Sequence, residues 1–152
     1  MTTKVLIVDD NQLYREAFRR NLIVMDYEVL EAENSEEAVK VFEEHKPDLL
    51  VTDLSMRTPT EGLELIRAIK RIDALAPVVL ISAVGTFEEG SLAKELGADR
   101  VLSKQKIDEH IEELYTAIEQ AKEQGVKLRA LSKEIDRISA CLLYTSPSPR
   151  DS

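Results

Sequence analysis

The chain has 152 residues, 43% hydrophobic and 32% charged, with a net charge of −9, one cysteine and two histidines. That balance suits one globular domain with an extension. The acidic surplus argues against nucleic acid and anionic membrane surfaces, no apolar run is long enough to span a bilayer, and a lone cysteine builds no disulfide framework.

Met1-Thr2-Thr3-Lys4 leads straight into an apolar run, so no secretory leader and a cytoplasmic location are expected. Val5-Leu6-Ile7-Val8 is apolar without a break, as in a strand covered on both faces. Asn11 can cap the following helix, whose apolar positions Tyr14, Ala17, Phe18, Leu22 and Met25 recur at helical spacing. Glu28 to Ala32 reads as a second strand. Asn34 opens a second helix with Glu37 in capping-box position and Ala38, Val39 and Phe42 on its apolar face. His45-Lys46-Pro47 stops it.

Asp48 to Thr52 is a third strand ending at Asp53, and a loop from Ser55 to Glu61 leads to Gly62. Leu63, Leu65, Ile66 and Ile69 give the third helix its buried stripe. Pro77 to Ile81 is a fourth strand, followed by Ser82-Ala83-Val84-Gly85 and a helix from about Thr86 to Leu96, with Gly97 as its C-terminal cap. Arg100 to Ser103 is a fifth strand, and Ile107, Ile111, Leu114, Ile118 and Ala121 mark a fifth helix.

Strands alternating with helices predict a parallel, doubly wound α/β sheet with right-handed crossovers. The spacing predicts the flavodoxin-like strand order 2-1-3-4-5 with a C-terminal helical extension. In that order the ends of strands 1 and 3 are neighbours, so Asp9, Asp10 and Asp53 face one crevice. Three carboxylates so placed repel one another unless a cation holds them. Hard oxygen donors with no His or Cys nearby select Mg²⁺ or a similar ion. One carboxylate is then available to attack phosphorus as a nucleophile, with Lys104 and Ser82 placed to neutralise and hydrogen-bond the transferred group.

From Lys4 to about Gln124 the chain resembles the receiver domain of bacterial two-component response regulators. The resemblance rests on Asp9-Asp10 after strand 1, Asp53 after strand 3, Ser82 after strand 4 and Lys104 after strand 5. Gly62-Leu63-Glu64-Leu65 and Leu96-Gly97-Ala98-Asp99 add to it. It implies that Asp53 is the phospho-acceptor and takes its phosphoryl group from a histidine kinase or phosphotransfer protein. Asp10, Asp53 and the backbone carbonyl of Ser55 would bind Mg²⁺ directly, with Asp9 acting through a metal-bound water. Lys104 would pair with Asp53 and then with the phosphoryl group, and Ser82 would shift towards it. Such a module is a switch with at most slow autophosphorylation and autodephosphorylation, not a turnover enzyme.

Three positions depart from the family pattern. Arg57 stands where a Pro usually follows the acceptor by four residues, in a loop one residue longer than usual. Val101 replaces the switch aromatic, and Gln105 replaces the Pro after the Lys. The alternatives are a phosphate-insensitive interaction module and a Mg²⁺-dependent aspartyl-phosphate phosphatase. The phosphatase usually carries an acid two residues after its nucleophile, where this chain has Ser55. No G-x-x-x-x-G-K-[ST], G-x-G-x-x-G or G-x-S-x-G motif is present. His45 and His110 read as surface residues, and the methionines as packing.

The domain boundaries expected are 1–124 for the receiver, 125–140 for a helical linker or dimerisation extension, and 141–152 for a non-native tail. Leu128, Leu131, Ile135 and Ile138 repeat at heptad spacing after Gly125, where the helical register shifts. They suit a signalling helix towards an output domain beyond Ala140 or a homodimer contact, or else an amphipathic helix packing back on its own domain. Cys141 to Asp151 breaks in composition and looks like one reading frame of a sequencing adapter.

Overall fold

The computed structural model describes residues 3–82, 91–92, 94–103 and 111–145. Five strands, β1 (Lys4–Val8), β2 (Glu28–Ala32), β3 (Leu49–Asp53), β4 (Val78–Ser82) and β5 (Arg100–Ser103), form one sheet in the order β2-β1-β3-β4-β5. Every pairing is parallel. Around it run α1 (Gln12–Val24), α2 (Ser35–His45), α3 (Glu61–Ile72) and a C-terminal helix (Ile111–Thr145). This is the predicted flavodoxin-like α/β architecture with its helical extension. Of the helix expected from Thr86 to Leu96, residues 91–92 and 94–95 are helical and the segment 83–90 lies outside the described residues, as does Ile107.

The alternation of side chains along each strand divides the core into two layers. Leu6, Val8, Leu50, Val78 and Leu80 pack with Phe42 of α2 and with Leu65, Ile66 and Ile69 of α3. Val5, Ile7, Leu49, Val51, Val79 and Ile81 pack with Phe18 and Leu22 of α1 and with Leu114, Ile118 and Ala121 of the C-terminal helix. Each of the large aliphatic side chains so buried stabilises the fold by about 1.5–3 kcal/mol. The continuous apolar runs in the sequence are the direct record of a sheet covered on both sides.

Helix ends follow their local chemistry. The Asn11 side chain accepts from the Leu13 N–H, and Asn34 accepts from the Glu37 N–H at 2.9 Å. Lys46 ends α2 in the left-handed region at φ 47°, just before Pro47. Gly97 sits at φ 115°, a conformation that only glycine adopts without strain. Met25 departs from the sequence reading. Helix α1 stops at Val24, Met25 is 38% exposed, and Tyr27 takes the buried position instead. Burial, and then a hydrogen bond to Glu119, push the Tyr27 hydroxyl well above its ordinary range.

The C-terminal helix runs through Gly125 without a break. A Cβ on Gly125 would lie 2.5 Å from Pro77 Cγ, so the glycine is a point of close approach to the start of β4. The Arg129 guanidinium pairs with Asp73 one turn further on. Beyond that pair the apolar stripe leaves the domain: Leu131, Ile135 and Ile138 are 60%, 61% and 50% exposed. Among the described residues no helix is long and apolar enough to cross a membrane.

Gly125→Ala is expected to destabilise the protein by about 1–2 kcal/mol, because overpacking against Pro77 outweighs the gain in helix propensity. Adding Pro77→Ala, which removes the opposing atom, should recover most of that loss. Urea unfolding midpoints of the two variants check both statements.

Candidate functional site

The register of the sheet builds the site. Val8 is paired with Thr52 across β1 and β3, so the next residue on each strand, Asp9 and Asp53, emerges side by side at the carboxyl edge. Asp9, Asp10 and Asp53 each offer a carboxylate oxygen, and these atoms all lie within 4.8 Å of one another. Asp9 and Asp53 are 1% and 6% exposed, whereas Asp10 is open to solvent. The trio is therefore two sunken carboxylates with a third at the rim.

The backbone around Asp9 and Asp53 is tied down. Asp9 Oδ1 accepts from the Asn11 N–H at 2.9 Å, and the Asp9 carbonyl accepts from Arg15 Nη1 at 2.6 Å. Arg15 is itself paired with Glu31 on β2. After Asp53, the Leu54 N–H donates to the Ile81 carbonyl and the Gly62 N–H donates to the Leu54 carbonyl, each at 2.8 Å. Helix α3 begins hard against the end of β3. A Cβ on Gly62 would lie 2.2 Å from the Asp53 carbonyl oxygen and 2.7 Å from Leu54 Cα, both backbone atoms that cannot give way.

Ser82 ends β4, 3% exposed, and is paired with Ser103 of β5. Ser55 lies exposed in the β3–α3 loop, its hydroxyl donating to the Pro59 carbonyl at 2.9 Å. Lys104 and Gln105, next in the chain after Ser103, lie outside the described residues, as does His110. His45 is a surface residue. The donor set of three hard oxygens, with neither His nor Cys, fits Mg²⁺ or a similar ion.

Sequence reasoning treated Arg57 only as a departure from a pattern and missed its partner. Glu61, the first residue of α3, is 2% exposed. Its carboxylate accepts from Arg57 Nε, from Arg57 Nη2 and from the Arg57 N–H, each at 3.0 Å, and from the Ser35 N–H at 2.8 Å. Arg57 Nη2 also reaches Glu36 at 2.6 Å. Burial alone would raise the Glu61 carboxyl, but the bonds from Arg57 and Ser35 outweigh it and hold it at about 2. The four-residue spacing of opposite charges at a helix start was the available signal.

A receiver-domain family model, described as "Response regulator receiver domain", matches residues 5–119. The chain belongs to that family. The receiver is 35% identical over 113 residues to the chemotaxis protein CheY of Bacillus subtilis, covering 67% of this chain and 93% of CheY. It is 37% identical over 102 residues to the phosphate regulon transcriptional regulatory protein PhoB of Pseudomonas aeruginosa, covering 66% of this chain and 44% of PhoB. Among solved structures, a response regulator receiver domain protein from Clostridium thermocellum superposes with a TM-score of 0.70 at 25% identity, over 85% of this chain and 98% of that one. NtrX from Brucella abortus superposes with a TM-score of 0.77 at 28% identity, over 87% of this chain and 30% of NtrX. A receiver is a signalling module of two-component systems, consistent with control by phosphorylation.

Two outcomes are expected from this geometry. Gly62→Ala should cost about 3 kcal/mol, because the new methyl meets only backbone, and denaturant unfolding measures it. A carboxyl whose folded value lies below its unfolded value contributes stability that is complete above the unfolded value and is lost as pH falls through the folded one. Glu61→Gln should therefore be less stable than the parent at neutral pH, with the gap closing between about pH 4.5 and about pH 2 in unfolding midpoints.

Proposed function

We propose that this receiver accepts a phosphoryl group on Asp53 from a histidine kinase or phosphotransfer protein in the cytoplasm, and that the acyl phosphate switches a protein-binding surface. The observation that carries the reading is the convergence of the Asp9, Asp10 and Asp53 oxygens within 4.8 Å at the carboxyl edge of the sheet. An Asp53 carboxylate oxygen forms the new bond to phosphorus as the donor's bond to phosphorus breaks, and the electron pair leaves with the donor. Asp10, Asp53 and the Ser55 carbonyl would hold Mg²⁺ directly, with Asp9 acting through a bound water. The ion would supply neutralising charge for the phosphoryl oxygens. Lys104 would pair with Asp53 at rest and with the phosphoryl group afterwards. The Ser82 hydroxyl, sunk at the end of β4, would donate to a phosphoryl oxygen and draw the following loop with it.

Ser55 stands two residues after Asp53, where an aspartyl-phosphate phosphatase needs an acid. Slow loss of phosphate, rather than turnover, follows from that. The exposed stripe of Leu131, Ile135 and Ile138 supports a second element of the proposal: the C-terminal helix leaves the domain to meet a second copy or an output domain. PhoB is more than twice as long as the stretch it shares with this chain.

Incubation with acetyl phosphate and Mg²⁺ should add one phosphoryl group by intact mass, and Asp53→Asn should remove the labelling. Undiminished labelling of Asp53→Asn would refute the acceptor assignment. Sedimentation with and without beryllofluoride and Mg²⁺ separates a working switch, whose association state or shape changes, from a phosphate-insensitive module, which stays the same.

A further inference from the structure

The β3–α3 loop, residues 54–60, is one residue longer than the family pattern and has no Pro four residues after Asp53. Such a loop needs other restraints, and the structure supplies them. Its ends are joined by the Gly62 N–H to the Leu54 carbonyl, and its middle by the Ser55 hydroxyl to the Pro59 carbonyl. The Met56 N–H donates to the Thr58 carbonyl at 3.1 Å. The strongest restraint is the planar fork between the Arg57 guanidinium and the Glu61 carboxylate, two parallel bonds at 3.0 Å with the carboxylate almost fully buried.

That fork joins three elements. Glu61 belongs to α3, Arg57 to the loop, and the Ser35 N–H and Glu36 carboxylate, which complete the cluster, to the first turn of α2. Asp53 ends β3, and Asp9 and Asp10 lie in the short connection, residues 9–11, between β1 and α1. Ser55 is carried by the longer β3–α3 loop, two residues before Arg57 and exposed. A loop carbonyl ordered before the ion arrives spares the entropy that ordering would otherwise cost at binding.

We propose that Arg57 is a positioning residue which, through its fork with Glu61, holds the Ser55 carbonyl in place and so raises the affinity of the acidic pocket for a divalent cation. The proposal rests on the reading of that pocket as the Mg²⁺ site of a phospho-acceptor. It makes a prediction opposite in sign to plain electrostatics. Arg57 is a cation four residues after Asp53 in the chain, so Coulomb repulsion alone would make its removal tighten Mg²⁺ binding or leave it unchanged.

The test is calorimetric titration of Mg²⁺, with Mn²⁺ titration by electron paramagnetic resonance, into the full chain and three variants. Arg57→Gln removes the charge. Arg57→Lys keeps it but loses the fork. Arg57→Met with Glu61→Leu removes the pair without stranding a buried carboxylate, the change that threatens folding. Thermal melts select the folded variants. The expected result is weaker binding by about tenfold in Arg57→Gln and in the double variant, the scale of loss when a group supporting a metal ligand is removed. Arg57→Lys should also bind more weakly than the parent. Acetyl phosphate labelling should need correspondingly more Mg²⁺ for half its maximal rate, with the maximal rate within about twofold of the parent.

Unchanged or tighter Mg²⁺ binding in the folded double variant or in Arg57→Gln would overturn the proposal, and parental binding in Arg57→Lys would overturn the role of the fork. A parent chain that binds Mg²⁺ but takes no phosphoryl group would overturn the phospho-acceptor reading while the binding constants still decide the role of Arg57. A parent that binds no Mg²⁺ would overturn both.

Discussion

The constraint on which the rest of this structure depends is the parallel register of β1 and β3. It forces the oxygens of Asp9, Asp10 and Asp53 to within 4.8 Å of one another in a chain whose net charge is already −9. Carboxylates so close repel, and two of them are nearly closed off from water. The sheet tolerates this because its interior is aliphatic on both faces, so that burial of apolar area far outweighs the strain at one edge. Charge at that edge is the price of a donor set that fits a divalent cation, and the supports around it are correspondingly dense. Arg15 holds the Asp9 carbonyl, and Gly62 lets α3 press against Asp53.

Much of the fold was legible because the residues that encode it act locally. The unbroken runs at Val5–Val8 and Pro77–Ile81 read as strands with both faces covered, and the stripe of Leu63, Leu65, Ile66 and Ile69 matches the buried face of α3. The acidic trio was legible because each Asp follows a strand, and strand order then brings the ends together. What stayed hidden depends on contacts that sequence spacing does not report. Gly125 read as the point where the helical register shifts; it lies inside a continuous helix where Pro77, 48 positions earlier, leaves no room for a side chain. Met25 continued a helical pattern that the chain abandons one residue earlier, and Tyr27 takes the place in the core layer that holds Phe18, Leu22 and Ile118.

The Arg57–Glu61 pair shows a third way in which sequence under-reports structure. Read against the family pattern, Arg57 was a missing proline. In the folded chain it is the guanidinium that neutralises an almost fully buried carboxylate and ties the loop to α2. The loss of one rigid element and the gain of another are the same event, visible only once the course of the loop is known.

The contact between Gly125 and Pro77 lies at the amino edge of the sheet, across the domain from the three carboxylates. A 35-residue helix that meets the domain there, and for the last time at the Arg129–Asp73 pair, is a lever with its fulcrum at this end of the domain. At 1.5 Å per residue, the arm from Arg129 to Thr145 is about 24 Å long, so a tilt of about 10° would sweep its tip through about 4 Å. A small rearrangement inside the domain would thereby become a displacement on the scale of a side chain at a distance, without the helix itself having to bend.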